Sequence, residues 1–101
     1  MPKLYEYFGL IVLFYSNEHE PVHVHGIYQD RESKAELIVV GGRVVRIRFI
    51  DVDGRLPLRG RHLADFKKLV QLRANDIVRK WIDYFVMHRA VKSEKITKTL
   101  R

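Results

Sequence analysis

Three histidines lie within seven positions in the segment NEHEPVHVHG, residues 17–26. An imidazole can exchange a proton near neutral pH or donate a nitrogen to a metal ion. His23 and His25 alternate with Val22 and Val24, which predicts a strand with both rings on one face, their Cα atoms about 6.7 Å apart. Two rings at that spacing can reach one ion or one substrate.

A metal site is the first hypothesis for these rings. His19, in the turn before Pro21, would join His23 and His25 as a third ligand, unless Glu36 from a neighbouring strand supplied it, and an open fourth position would be catalytic. Zinc motifs usually place histidines at helical spacing or pair them with cysteines, and this chain has no cysteine. The main prediction therefore has no cofactor, and zinc is the expected cofactor only in the alternative hypothesis of a histidine-ligated metal site.

Metal-free acid–base chemistry on a phosphodiester is the second hypothesis, because small basic ribonucleases can use histidine as both proton donor and proton acceptor. His23 and His25 would carry the protons, Glu36 would orient His25, and Arg46 and Arg48 would stabilise the phosphate. This chemistry needs both rings open to a groove. Alternatively, the histidines are structural, or tune a docking surface by pH.

The strands that position these side chains follow from alternating hydrophobicity. A four-residue turn at 29–32 sets His25 opposite Glu36, and a three-residue loop at 41–43 sets Glu36 opposite Arg48. The sequence therefore predicts a polar row of His25, Glu36 and Arg48 on one sheet face. The predicted strands are FGLIVLFYS, PVHVHGIY, SKAELIVV and RVVRIRFID.

Two helices follow the strands, one from about 59 to 73 and one capped by Asn75. The sequence predicts an α+β fold, in which a four-stranded, mostly antiparallel sheet is followed by two C-terminal helices packed on one face. Residues 1–90 are predicted to form a single domain. Residues 91–101 are predicted to be a basic C-terminal tail, either mobile or forming a short strand that a partner orders.

The charge of the chain is unevenly distributed. Residues 1–42 carry 3 basic and 6 acidic side chains, whereas residues 43–101 carry 16 basic and 6 acidic side chains. This asymmetry favours a polyanionic partner, RNA or DNA, or an acidic protein. The side chains predicted to contact nucleic acid are Arg46, Arg48, Arg59 and Arg61.

Composition limits the class of protein. With 101 residues, 47% hydrophobic and 31% charged, the chain is typical of one globular domain rather than a disordered segment. Its longest apolar run is too short to span a bilayer, and its N-terminus lacks a signal-peptide pattern. We therefore expect a cytoplasmic protein without a membrane partner.

The motif order resembles a bacterial family, domain of unknown function 4160, over about residues 3–87. The resemblance rests on YFGLIVLFYSNEHEPVHVHG, then DGRLPLRG, then a lone tryptophan in the last helix. Family members share N/D-x-x-x-P-x-H-x-H and a later G-x-L-P, and often have PPHFH where this chain has PVHVH. The residues that carry the resemblance are Asn17, Pro21, His23, His25, Gly54, Leu56, Pro57 and Trp81.

The resemblance implies a functional context, because family members sometimes occur in small gene cassettes that look like toxin–antitoxin pairs. We therefore expect a nucleic-acid-associated component of such a system, with a metal-independent ribonuclease as its enzymatic form. The alternatives are a non-enzymatic interaction module, which binds a neighbouring gene's product or a second copy of itself, and a histidine-ligated metal protein. The sequence leaves open whether the chain is an enzyme.

Overall fold

A computed structural model of the protein describes residues 2–15 and 21–100. It has an α+β fold with one mixed sheet and two C-terminal helices. The helix after residue 81 continues as a π-helical turn at Ile82–Val86. The elements are β1 Lys3–Tyr7, β2 Leu10–Leu13, β3 His23–Tyr28, β4 Arg31–Val40, β5 Arg43–Asp51, α1 Gly60–Leu72, α2 Ala74–Trp81 and β6 Glu94–Ile96.

Among residues 2–15 and 21–100, the sheet has six strands in the order β5-β4-β3-β2-β1-β6. β1 to β5 form an antiparallel meander, and β6 returns to pair parallel with β1. The α+β class is confirmed, but the predicted count of four strands is wrong. The segment 8–16 was expected to be one strand, whereas Phe8 and Gly9 form a tight turn between β1 and β2, with φ of +46° and +90°.

Part of the predicted basic tail lies in the sheet. Glu94–Ile96 pair with Tyr5–Tyr7, and the backbone N–H of Leu100 donates to the hydroxyl of Tyr7 at 3.2 Å. The boundary at residue 90 stays a prediction, and the segment after it contributes an edge strand.

The β4–β5 register agrees with the prediction as far as the pair of Ile38 and Arg46, but the turn and the pairs beside it do not. Glu36 pairs with Arg48 as expected, but the loop has two residues, Gly41 and Gly42, with φ of +59° and +79°. Two-residue hairpin turns favour glycine because they need positive φ. The register shifts after Ile38, where a β-bulge at Val45 restores the alternation that a two-residue turn alone would reverse.

The predicted four-residue turn between β3 and β4 is wrong. Tyr28 pairs directly with Arg31, which leaves a two-residue turn, and every pair shifts by two positions. His23 therefore lies opposite Glu36, and His25 lies opposite Lys34. Because the shift is even, both imidazoles keep their predicted side of the strand.

The helices pack on the face of the sheet that contains Val24 and Gly26. A Cβ at Gly26 would lie 2.5 Å from Cδ1 of Phe66, so the absence of a side chain lets α1 approach β3 closely. In the described part of the chain, no helix combines the length and apolar character needed to cross a bilayer. The core residues from both layers include Val12, Val24, Ala35, Leu37, Phe66, Leu69, Val70, Ile77 and Trp81.

The two helices begin close to their predicted positions. α1 matches the predicted range to within about one residue, but Asn75 is not the cap of α2, because the helix begins at Ala74 after Arg73. α1 and α2 follow each other so closely that no free turn separates them. The N-cap residue of α2, Arg73, makes no side-chain capping hydrogen bond.

Candidate functional site

His25 is a buried member of a polar network rather than an open ring. Its Nδ1 lies 2.9 Å from Oε2 of Glu32, one diagonal position away in the ladder, and its side chain is 8% exposed. Tyr15 donates its hydroxyl hydrogen to the same oxygen at 2.9 Å, and Nε of Arg55 lies 3.7 Å from the other oxygen. The side chain of Glu32 is only 3% exposed, so these partners compensate for the desolvation of its carboxylate.

Glu32 is a residue of the candidate site that the sequence did not predict. The predicted turn between β3 and β4 was two residues longer than the observed one. That longer turn placed Glu36, rather than a residue nearer the turn, opposite His25. A two-residue turn would have revealed Glu32, since it shares the face of His25 in that register. The predicted row of His25, Glu36 and Arg48 is therefore wrong, and the observed row is His23, Glu36 and Arg48.

His23 lies at the start of β3 and is half-buried. Its Nδ1 is 2.7 Å from the carbonyl oxygen of Pro21, an acceptor only, so this nitrogen carries a hydrogen and donates it. Its ring centroid is 5.4 Å from that of His25 and 5.3 Å from that of Trp81. The two imidazoles are thus neighbours, and the half-buried ring of His23 also contacts the ring of Trp81.

The fold brings together only some of the residues predicted for acid–base chemistry. Glu36 lies across the ladder from His23, and its Oε1 is 3.6 Å from Nη1 of Arg48. His25 does not share an open groove with them, because it is buried against Glu32. The arrangement suits a fixed ring orientation better than proton exchange with a bound substrate.

The predicted metal site falls partly outside the described residues, because His19 lies there. Within residues 2–15 and 21–100, no three His, Cys, Asp or Glu side chains are grouped so that they could hold a metal ion. His25 and Glu32, the one imidazole and carboxylate of the candidate site in direct contact among these residues, share a hydrogen bond with each other.

The predicted nucleic-acid-binding residues lie at two ends of the sheet. Arg46 and Arg48 are exposed on β5, and Arg46 pairs with Ile38, close to the β4–β5 turn. Arg59 and Arg61 are exposed at the start of α1, beside the stacked rings of His62 and Tyr28 at the β3–β4 turn. About seven residues of β4 separate the two ends, or roughly 23 Å at the usual rise of a strand.

A comparison with protein-family models gives one match, to the domain of unknown function DUF4160, over residues 9–82. The chain belongs to the DUF4160 family. Neither the search of curated proteins nor the search of solved structures found a match. The DUF4160 region contains β2 to β5 and the helices as far as Ile82, whereas β1 and β6 lie outside it.

The GRLP motif of this DUF4160 chain lies in the connector after β5. Hydrogen bonds join this connector to the start of β4. The carbonyl oxygen of Leu56 accepts from the backbone N–H of Glu32 at 2.9 Å, and that of Pro57 accepts from Nη1 of Arg31 at 3.1 Å. The backbone N–H of Leu58 donates to the hydroxyl of Ser33 at 3.0 Å. The motif therefore holds the strand that carries the buried carboxylate.

The tryptophan of the DUF4160 chain packs beside the histidine motif at the start of β3. Trp81 is buried in α2, its ring 5.2 Å from that of Phe14 and 5.3 Å from that of His23. Two of the sequence features behind the resemblance thus meet around the beginning of β3. Their observed contacts are packing and hydrogen bonding within the domain.

Proposed function

We propose that this DUF4160 protein binds nucleic acid through the β4–β5 hairpin, as one component of a toxin–antitoxin-like pair. The observation that supports binding is a cluster of cations on the hairpin face that points away from the helices. We call this cluster the basic strand face. It consists of Lys34, Arg43, Arg46 and Arg48.

Few acidic side chains oppose these cations. On the same face of the hairpin are Glu36 and the buried Glu32. Among the described residues, neither Arg43 nor Arg46 has a carboxylate within 4.0 Å. The contact between Arg48 and Glu36 is long at 3.6 Å and partly exposed, so it holds the guanidinium only weakly.

The spacing of the arginines suits contacts with successive phosphates. Arg46 and Arg48 are two positions apart on an extended strand, which separates their Cα atoms by about 6.7 Å. A guanidinium offers several donors in a planar fork that matches phosphate oxygens. Contacts of this kind position a backbone without reading bases, so we propose binding with little sequence preference.

Binding rather than cleavage is the activity that the geometry supports. The ribonuclease hypothesis requires both His23 and His25 to face a groove, and His25 is buried beside Glu32. The cassette context comes from the family resemblance alone, and a neighbouring gene's product is proposed as the cognate partner on that ground.

Fluorescence anisotropy with a labelled single-stranded RNA and a DNA duplex, over a series of salt concentrations, tests the proposal. We expect affinity to fall as salt rises. The triple variant Arg43→Gln/Arg46→Gln/Arg48→Gln should bind at least about tenfold more weakly and lower the slope of log K against log salt by about 2.

The matched control removes three exposed cations elsewhere. Lys68→Gln/Lys92→Gln/Lys98→Gln changes the net charge equally and leaves the basic strand face intact. This control should keep most of the wild-type affinity. Equal weakening of both variants would attribute binding to net charge and would contradict the proposed site.

A further inference from the structure

β5 is the outermost strand on its side of the sheet. It has nine residues and pairs with β4 along its full length. Among the described residues, no strand or bridge lies on its other side. The backbone groups that point outward from Arg43–Asp51 are therefore open to a further strand.

The two rows of side chains along this edge differ in character. On the helix side, Ile47 and Phe49 are half-buried against the core, whereas on the other side Arg46 and Arg48 are exposed. A strand added at the edge would place alternate side chains beside each row. The complementary strand would alternate apolar residues with acidic ones.

Charge argues against a second copy of this chain as the occupant. Antiparallel pairing of two β5 strands about Ile47 would set Arg46 against Arg48 at both central positions. Like charges directly opposite each other destabilise a strand pair. The opposite-charge pairing of Arg43 with Asp51 would occur only at the ends.

We propose that the outer edge of β5 receives an extended acidic segment of a partner protein, with acidic and apolar residues alternating. The segment adds a seventh strand to the sheet. Backbone hydrogen bonds supply affinity, and the arginines select an acidic sequence over a basic one. Because Arg46 and Arg48 also belong to the basic strand face, the segment and nucleic acid exclude each other.

A synthetic peptide tests this docking without knowledge of the natural partner. The probe is a capped nine-residue peptide that alternates glutamate with valine, to match the length of β5. We expect binding by calorimetry, together with slower hydrogen exchange at the outward amides of Arg43–Asp51. The same peptide with alternate backbone amides N-methylated on its pairing edge keeps its charge and should not bind.

Variants separate the role of the arginines from a general charge effect. Arg46→Glu/Arg48→Glu should weaken binding of the glutamate peptide at least about tenfold and admit a lysine–valine peptide instead. The matched control, Lys68→Glu/Lys98→Glu, makes the same charge change away from the edge and should bind the glutamate peptide almost as well as wild type.

Three outcomes would overturn the proposal. The first two are no binding of the glutamate peptide, and binding that survives N-methylation of the peptide. The third is self-association of the protein in sedimentation experiments without peptide, together with slow hydrogen exchange at the outward amides of β5. RNA binding is measured by anisotropy on the same preparations. A protein that binds RNA but not the peptide would refute the docking edge alone, and one that binds the peptide but not RNA would refute the nucleic-acid proposal alone.

Discussion

A buried tyrosine and a carboxylate from different elements form a hydrogen-bonded ionisable pair. Tyr5 donates its hydroxyl hydrogen to Asp76, and Nζ of Lys80 lies 4.8 Å from the centroid of the Tyr5 ring. Burial, followed by the hydrogen bond and the charge of Asp76, raises the pKa of Tyr5 far above its ordinary value. Burial acts to raise the pKa of Asp76, but hydrogen bonds from Tyr5 and Arg79 and the charge of Lys80 outweigh it and lower that pKa.

The tyrosine should make the protein sensitive to alkali. Its raised pKa means that the neutral form stabilises the fold fully below the unfolded-state pKa of about 10, and that this contribution is lost as pH rises above it. Tyr5→Phe should cost about 1–3 kcal/mol at pH 7 and show less loss of stability between pH 9 and 11. Urea unfolding measures both effects. Tyr84→Phe is the control, and equal alkaline losses in wild type and Tyr5→Phe would contradict the assignment.

Asp76 should contribute acid sensitivity of the opposite sign. Its folded-state pKa is lowered, so its stabilising contribution is present above the unfolded-state pKa of about 3.9 and is lost as pH falls below that value. Asp76→Asn should be less stable than wild type at pH 6 and should lose less stability on acidification to pH 2. A variant with an acid limb as steep as that of wild type would argue against this role.

The buried pair of His25 and Glu32 should be energetically coupled, because its members share a 2.9 Å contact away from solvent. A double-mutant cycle with His25→Ala and Glu32→Gln should give a coupling free energy of about 1–3 kcal/mol in urea unfolding. The partly exposed pair of Arg48 and Glu36 is the internal control and should give about 0.5 kcal/mol or less. Comparable coupling free energies in both pairs would mean that burial does not determine the coupling between His25 and Glu32.

Alternation of apolar and polar residues fixed the face of each residue but not its neighbour across the ladder. As far as the pair of Ile38 and Arg46, the β4–β5 register was predicted correctly because a shift of one would have mixed the two faces. The bulge at Val45 reconciles that requirement with a tight glycine turn. The β3–β4 register was off by two because an even shift preserves both faces. Only turn chemistry could decide it, and Gln29, with φ of +56°, is an uncommon residue for that conformation.

The candidate site was predictable to the same extent as its strands. The face of His23 and His25 followed from the sequence. The burial of His25 did not, because it depends on Glu32 and on contacts from outside the strand pair. Strand β6 had no local signal, since its three residues are stabilised by pairing with β1 rather than by their own pattern.

The contact between β3 and α1 leaves no room for a side chain at Gly26. A Cβ there would come within 2.5–2.9 Å of three atoms of the Phe66 ring. Gly26→Ala should therefore destabilise the fold by about 1–3 kcal/mol through overpacking. Adding Phe66→Leu should cost less in the Gly26→Ala background than in wild type, as measured by urea midpoints. Strict additivity of the two changes would show that the ring does not cause the loss.

The segment after residue 90, which lies outside the family match, covers one edge of the sheet. β6 covers the outer edge of β1, and Val91, Ile96 and Leu100 pack against the core. Burial of these apolar side chains should stabilise the fold by about 1–3 kcal/mol in total, since each is only partly buried.

Truncation after Ala90 tests whether this segment belongs to the cooperative fold. We expect a fall of roughly 5–15 °C in Tm, together with faster hydrogen exchange in β1, which becomes an edge strand. Ile96→Asn should reproduce part of the loss in the full chain because it removes an apolar contact without shortening the protein. Lys98→Asn is the matched control at an exposed position two residues away and should leave Tm nearly unchanged. If the truncated protein kept the Tm and β1 protection of the full chain, residues 91–101 would be a tail in the thermodynamic sense, and the domain would end at residue 90.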